Sequence, residues 1–208
     1  HEAADEDRVN VARSYARAQR ATASQYNSLI AAGCLDRRLH LLPAQLTELL
    51  EDAALRLAAE DARRLHAHLP RIAAMCAEAA ALPLPQTLVH GDLHGGNIVR
   101  RAGHTAIIDW TDACVSHPFF DLLTLVGSAP QQAQPALRDA YLAEWHDLAD
   151  QTQIERAWEL LRPLAALHQA ISYRGILRGI ERSEHPLFDE DLSSFLRLAL
   201  EILEQESS

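Results

Sequence analysis

The stretch that decides the fold runs from Leu88 to Asp109, LVHGDLHGGNIVRRAGHTAIID. A short apolar run ends in a loop rich in histidine and glycine, and a second apolar run ends in Asp109. Asp92 and Asn97 lie five residues apart, and Asp109 follows twelve residues after Asn97. A loop followed by a hairpin would bring these three oxygen-bearing side chains together. Such oxygens, completed by phosphate oxygens, are the ligands that Mg²⁺ prefers, so the spacing predicts a magnesium site.

Helical patterns surround this stretch on both sides. Before it, apolar residues recur with helical spacing from about Asp7, and Pro83 and Pro85 end the helical region. The strand candidates are residues 87–89, 97–100 and 105–108, with a turn at 101–104. The helices predicted after the stretch are residues 119–127, 134–147, 153–178 and 188–204. The predicted fold class is therefore mainly α with a small central β-hairpin element, an α+β arrangement.

Composition narrows the class of function. The formal net charge is −10, which argues against a nucleic acid partner because phosphate backbones are bound by clustered positive charge. No apolar run approaches the roughly 20 residues that cross a membrane, so no membrane partner is expected. Three cysteines without metal-type spacing fit a reducing compartment, and we expect a cytoplasmic protein. All 19 basic residues are arginine, and the chain contains no lysine.

Three motifs in this order resemble the family of aminoglycoside phosphotransferases and choline kinases. They are VHGDLHGGNIV at residues 89–99, IIDWTDA at 107–113 and HPFFDLL at 117–123. That family has His-Gly-Asp-x-His-x-x-Asn, then Ile-Asp-Trp, then an aspartate at the start of a helix. Gly95 is a small departure, since proline is frequent there in the family. The resemblance covers roughly residues 9–203 and implies the helical C-terminal lobe of a protein-kinase-like fold.

The resemblance also implies a reaction, which is phosphoryl transfer from ATP with Mg²⁺ to a hydroxyl group of a small molecule. Asp92 looks like the catalytic base, or the residue that orients the substrate hydroxyl. Asn97 and Asp109 look like the Mg²⁺ ligands. The acceptor stays open among aminoglycosides, choline, sugars, amino alcohols and macrolides, and the donor nucleotide is open as well.

Further residues receive supporting roles from the same resemblance. Those expected to support the loop are His90, Gly91 and His94. Asp112 and His117 are candidates for the substrate side of the cleft, and loop packing is the alternative for His117. Asp121 is interpreted as a structural acid, because an acid in the first turn of a helix satisfies free N–H groups there.

The same residues also allow other interpretations. Asp and Asn favour turns and caps, so each residue alone could be an ordinary turn residue. The spacing of His90 and His94 would suit a zinc site on a helix, but the glycines make a helix here a poor prediction. A non-catalytic lobe that binds a ligand or metal and has lost the kinase chemistry is the alternative function.

The absence of lysine bears on the completeness of the site. Kinases of this type use an N-terminal lobe whose lysine pairs with the nucleotide phosphates. We therefore expect residues 9–208 to form a helical C-lobe that lacks the N-lobe of the same protein and has little activity alone. Residues 1–8 are expected to be a disordered lead-in or a remnant of the expression vector.

Overall fold

A computed structural model describes residues 2–52, 54–101, 104–181, 183 and 185–205. Its helices are α1 (Glu2–Thr22), α2 (Tyr26–Ala31), α3 (Leu42–Leu50), α4 (Ala59–Ala81), α5 (Phe120–Gly127), α6 (Gln134–Ala143), α7 (Gln151–Gly179) and α8 (Pro186–Gln205). Its strands are β1 (Leu35–Asp36), β2 (Thr87–Val89), β3 (Ile98–Arg101), β4 (His104–Ile107) and β5 (Cys114–Ser116). Short 3₁₀ turns cover Leu39–Leu41, Gly95–Asn97 and Gln131–Ala133. The mainly helical class with a small β portion is confirmed.

The chain divides into two compact units. The first unit comprises His1–Arg38 and Leu82–Arg156, and the second comprises Leu39–Ala81 and Ala157–Ser208. All five described strands belong to the first unit, together with the whole of the Leu88 to Asp109 stretch. The polar cluster predicted from the sequence therefore lies within one unit.

Two small sheets form the β portion of the first unit. In the three-stranded sheet, β5 lies in the middle, parallel to β1 and antiparallel to β2. Strands β3 and β4 form a separate antiparallel hairpin in which Ile98 pairs with Ile107 and Arg101 with His104. The hairpin returns the chain toward the end of the 3₁₀ turn, and the amide of Ile108 donates to the carbonyl of Asn97 over 3.0 Å.

The packing face of α1 has helical periodicity. Its buried residues are Val11, Ala12, Tyr15, Ala16 and Gln19, which recur with the 3.6-residue period of an amphipathic helix. Ala12 and Ala16 have no exposed surface, and their small side chains let neighbouring segments approach closely. At the solvent edge, Arg17 forms two hydrogen bonds with Glu144, just after α6. This helix therefore packs against α6 and carries Tyr15 into the interior.

An aromatic cluster of His117, Phe119, Tyr141 and Trp145 fills the core between α5 and α6. The Phe119 ring meets His117, Tyr141 and Trp145 edge-on at centroid distances of 5.1, 5.8 and 5.7 Å. All four residues are fully buried. Edge-to-face aromatic pairs add about 0.5–1.5 kcal/mol each to the burial of their area, so this cluster is a substantial part of the unit's stability.

The second unit is built from α3, α4, α8 and most of α7. Glu60 and Asp61 lie in the first turn of α4, where acids interact favourably with the helix dipole. Arg64 of α4 pairs with Glu204 of α8, and Arg71 donates to the carbonyl of Leu203 over 2.6 Å. The helix continues through Pro70 as a single element. Among the described helices, none is both long and apolar enough to cross a membrane.

The structure corrects several predictions. Helix α1 begins at Glu2, so residues 2–8 are helical where a disordered lead-in was expected. The β portion is larger than the predicted hairpin element. Strands β1 and β5, which form a three-stranded sheet with β2, were not predicted. The hairpin strands were predicted at 97–100 and 105–108, one residue away from their places, and its tip at 102–103 lies outside the described residues. Helix α6 ends at Ala143, four residues earlier than expected.

Acid should weaken the folded state through His117. Burial lowers the pKa of His117 from 6.5 to about 3, so the unfolded chain binds the proton more readily and stability falls as the pH drops from about 6.5 toward 3. The contribution lost between about pH 7 and about pH 5 is about 2 kcal/mol. We expect His117→Asn, whose amide oxygen replaces Nδ1 as acceptor from the Phe119 amide (3.2 Å), to show a flatter pH profile.

The measurement is urea unfolding of wild type and variant at several pH values across this window. The quantity to compare is the slope of the unfolding free energy against pH, since the variant is expected to be less stable than wild type at every pH. Equal slopes for the two proteins would contradict the assignment of a neutral His117.

Candidate functional site

The loop that follows β2 is held by the carboxylate of Asp121, in the first turn of α5. Its Oδ1 accepts from the amide of Gly91 over 2.9 Å, and its Oδ2 accepts from the amide of His90 over 2.8 Å. The carboxylate is fully buried, and burial raises the pKa of Asp121 while these hydrogen bonds act in the opposite sense. Asp121 therefore fixes the loop backbone. The sequence had predicted a structural acid that satisfies the N–H groups of its own helix instead.

A third donor to Asp121 comes from α1. The hydroxyl of Tyr15 donates to Asp121 Oδ2 and lies 3.0 Å from the amide of His90, whose hydrogen bond it accepts. Burial, followed by the charge of Asp121, raises the pKa of Tyr15 well above its usual value. The hydroxyl therefore keeps its proton and serves as a donor to the carboxylate.

His90 connects the loop to the segment that carries Asp109. Its Nε2 donates to the carbonyl of Ile108 over 2.8 Å, and its Nδ1 accepts from the amide of Asp92 over 3.3 Å. These partners fix the tautomer with the proton on Nε2. The ring of Trp110 packs on the imidazole with a centroid distance of 4.7 Å. The predicted loop-supporting role of His90 thus has a concrete set of contacts.

Asn97 is oriented by the loop that it follows. Its Nδ2 donates to the carbonyl of Asp92 over 2.9 Å, and only 8% of the residue is exposed. Because the amide nitrogen occupies this contact, the amide oxygen Oδ1 points away from the Asp92 carbonyl and is the atom available to a cation.

His94 lies beside the catalytic candidate. Its Nδ1 accepts from the amide of Gly96 over 3.0 Å, which places the ring proton on Nε2, 3.5 Å from Asp92 Oδ2. A side chain at position 96 would place its Cβ 2.7 Å from the His94 ring. Gly96 is therefore required for His94 to cap the 3₁₀ turn and remain next to Asp92.

Asp109 adopts an unusual backbone conformation. Its φ is +62°, and among the described residues it is the one non-glycine residue with positive φ. Its Oδ1 accepts from the hydroxyl of Thr111 over 2.8 Å. Left-handed conformations cost roughly 1–2 kcal/mol outside glycine, although Asp tolerates them better than most residues. Strain of this kind concentrates at functional sites, which favours a role for this carboxylate.

Gly91 and Asp112 meet through their main chains. Gly91 has a φ of +88°, and a Cβ there would lie 2.3 Å from the carbonyl oxygen of Asp112. Asp112, a candidate for the substrate side, therefore lies directly against the candidate catalytic loop, residues 90–97, with its side chain half-buried. His117, the other candidate, is fully buried in the aromatic cluster, which supports the loop-packing alternative instead of contact with a substrate.

The side-chain oxygens of the candidate site can be compared with the ligands that a metal ion needs. No cluster of three or more His, Cys, Asp or Glu side chains able to hold a metal occurs within the described ranges. A carboxylate oxygen and an amide oxygen alone are too few to supply all the ligands of a metal ion. Mg²⁺, however, is bound in phosphoryl-transfer sites by one or two carboxylates together with substrate phosphates and waters. Asn97 and Asp109 fit that second kind of site.

Comparison with known families identifies the chain. A model of the phosphotransferase enzyme family matches residues 2–170. The chain belongs to the phosphotransferase enzyme family. The match confirms the resemblance to aminoglycoside phosphotransferases and choline kinases inferred from the motifs around Asp92, Asp109 and Asp121. No curated protein matches the chain.

Solved structures show which fold this member of the phosphotransferase enzyme family has. Glucosamine kinase (crystal form A) is similar over 97% of this chain and 55% of its own, with a TM-score of 0.52 and 20% identity. Glucosamine kinase in complex with glucosamine, ADP and inorganic phosphate covers 97% of this chain and 56% of its own, with a TM-score of 0.53 and 21% identity. The fold is thus kinase-like, and the chain spans a little more than half the length of these structures.

Some residues of this candidate site were not recognised from the sequence. Neither Tyr15 nor Ser128, whose hydroxyl accepts from the amide of Gly95 over 3.0 Å, was singled out. Thr111, which holds Asp109, was quoted only as part of a motif. None of the three has a local signal, because each acts through a partner brought to it by the fold.

Two glycines allow the importance of the Gly91 contact to be measured. Both Gly91→Ala and Gly33→Ala place a side chain at positive φ, but Gly33 has nothing within 4 Å of the added Cβ. We expect Gly33→Ala to lower the unfolding free energy by about 1–2 kcal/mol. Gly91→Ala should lower the unfolding free energy by about 2 kcal/mol more than Gly33→Ala does, since the added methyl meets a carbonyl oxygen.

Urea unfolding of the two variants and wild type measures this difference. Equal losses in the two variants would mean that the main chains of Gly91 and Asp112 are not in tight contact.

Proposed function

We propose that this chain is the part of a small-molecule kinase that binds the acceptor hydroxyl and the metal, in an enzyme that transfers a phosphoryl group from ATP. One observation carries the proposal. Hydrogen bonds join Asp92 and Asn97 to Ile108, which directly precedes Asp109: Asn97 donates to the Asp92 carbonyl, the Ile108 amide donates to the Asn97 carbonyl, and His90 donates to the Ile108 carbonyl. The loop and the Asp109 turn are thereby held in one local structure.

Asp92 is suited to the role of acceptor base. Its side chain is 35% exposed, so a substrate hydroxyl can reach it, while its main chain is held through His90 and Asn97. In the proposed step, its carboxylate orients the hydroxyl and receives its proton as the oxygen bonds to the γ-phosphorus. The bond from that phosphorus to the bridging oxygen of the nucleotide breaks, and ADP leaves.

Asn97 and Asp109 are the residues that would hold Mg²⁺. When bound, the ion neutralises charge that develops on the phosphate oxygens. The chain's own contribution is orientation. The Asp92 carbonyl fixes the amide of Asn97, and the Thr111 hydroxyl binds one oxygen of Asp109, so that both ligands are positioned before the phosphates arrive.

The contact with the nucleotide phosphates is assigned to a different part of the protein. The chain contains no lysine, and kinases of this type pair a lysine with those phosphates. We therefore propose that an N-terminal lobe of the same protein completes the site and that these 208 residues alone have little or no kinase activity. Amino sugars come first among acceptors to screen, because a solved structure with this fold contains glucosamine and ADP.

Replacement of Asp92 tests the proposed mechanism in the full-length protein. We expect Asp92→Asn to reduce kcat by about 100-fold or more, which is the range that a positioned base contributes. The KM for the nucleotide should change little, because Asp92 is not one of the metal ligands. ADP release, measured against a panel of hydroxyl-bearing metabolites, gives both constants.

Asp139→Asn is the matched control. Asp139 is an exposed acid of α6 in the same unit and pairs with Arg138 at the surface, so its loss should leave turnover unchanged. Wild-type turnover in Asp92→Asn would exclude the proposed base. A full-length protein that binds nucleotide without turning over any acceptor would favour the alternative, a non-catalytic binding lobe.

A further inference from the structure

We propose that Tyr15 is a positioning residue for phosphoryl transfer, which acts by holding the Asp121 carboxylate and the His90 amide in the geometry that places Asp92. The inference rests on the proposed function for its catalytic consequence, but the contacts themselves do not depend on it. Tyr15 lies 106 residues before Asp121 in the chain, on a helix to which no catalytic role has been assigned.

The hydroxyl of Tyr15 completes a small buried network. It donates to Asp121 Oδ2, and it accepts from the His90 amide over 3.0 Å. The same amide lies 2.8 Å from Asp121 Oδ2, so the hydroxyl, the carboxylate oxygen and the amide contact one another. Tyr15 is 2% exposed and Asp121 is fully buried. In such surroundings water does not replace a lost donor without rearrangement.

The consequence of losing this donor falls on the catalytic loop. Asp121 binds the two consecutive amides of His90 and Gly91, and Asp92 follows directly. Removing the Tyr15 hydroxyl leaves the buried carboxylate with two donors, which weakens its hold on that backbone. A loop that opens more often spends less time with the Asp92 carboxylate in the orientation that the acceptor hydroxyl requires.

The ring of Tyr15 contacts the second half of the site. Its centroid lies 6.4 Å from that of Trp110, which itself packs on His90 and directly follows Asp109. Tyr15→Phe keeps this ring contact and removes only the hydroxyl. The variant therefore separates the hydrogen-bonded role from the packing role.

Tyr141 provides a matched control on the same packing surface. It is fully buried like Tyr15, and its hydroxyl lies 2.6 Å from Gln19 Oε1 and 2.8 Å from the carbonyl of Pro118. Tyr141→Phe thus removes a buried hydroxyl that has two polar partners, within the same unit. Among the described residues, neither hydrogen-bond partner of that hydroxyl belongs to the loop of residues 90–97.

The first arm of the experiment measures amide hydrogen exchange in the full-length protein by NMR. We expect Tyr15→Phe to accelerate exchange at His90 and Gly91 by about ten-fold relative to wild type, the factor that corresponds to about 1.4 kcal/mol. Tyr141→Phe should leave these two rates unchanged after correction for any change in global stability. Wild-type exchange at both amides in Tyr15→Phe would overturn the proposal.

The second arm measures steady-state kinetics of the full-length protein. We expect Tyr15→Phe to lower kcat by about ten-fold with KM values within about two-fold of wild type, while Tyr141→Phe keeps both constants. An equal loss of kcat in the two variants would reduce Tyr15 to a structural residue and overturn the proposal. If the wild-type protein shows no turnover, the proposed function fails, and hydrogen exchange alone still decides whether Tyr15 holds the loop.

Discussion

The buried carboxylate of Asp121 is the contact on which the local structure of the site depends. It accepts hydrogen bonds from two consecutive loop amides, His90 and Gly91, and from the hydroxyl of Tyr15. A buried charge is costly unless it is hydrogen-bonded, and these three donors offset that cost. The same interaction that makes the carboxylate tolerable in the core therefore fixes the backbone immediately before Asp92.

The geometry is transmitted from this contact to the other functional residues mostly through the main chain. His90 binds the carbonyl of Ile108, Asn97 binds the carbonyl of Asp92, and the Ile108 amide binds the carbonyl of Asn97. Main-chain contacts of this kind demand close approach, which accounts for glycine at position 91. Partly exposed side chains, such as that of Asp92, are thus supported by a backbone that has little freedom.

The sequence predicted the loop and hairpin that carry Asp92, Asn97 and Asp109 better than it predicted the sheet beside them. These residues could be singled out as candidates because their spacing reflects one loop and one hairpin, both of them local structures, and their roles stay predictions. Strand β5 was missed because three buried residues, Cys114 to Ser116, show neither alternation nor length. Asp121 was recognised as structural, yet its partners were not, since they come from segments 30 and 106 residues away. Burial of His117 among aromatic rings likewise depends on tertiary packing.

The claim that Asn97 and Asp109 form one cation site can be tested directly with Mn²⁺, which replaces Mg²⁺ and broadens nearby NMR signals. Mn²⁺ would be added with ADP to the full-length protein and to its Asn97→Ala variant. We expect the amide signals of Asn97, Asp109 and Trp110 to broaden before other signals in the wild type and to broaden no earlier than other signals in the variant. Broadening that is strongest at exposed acids such as Asp139 and Asp147, and unchanged in Asn97→Ala, would contradict it.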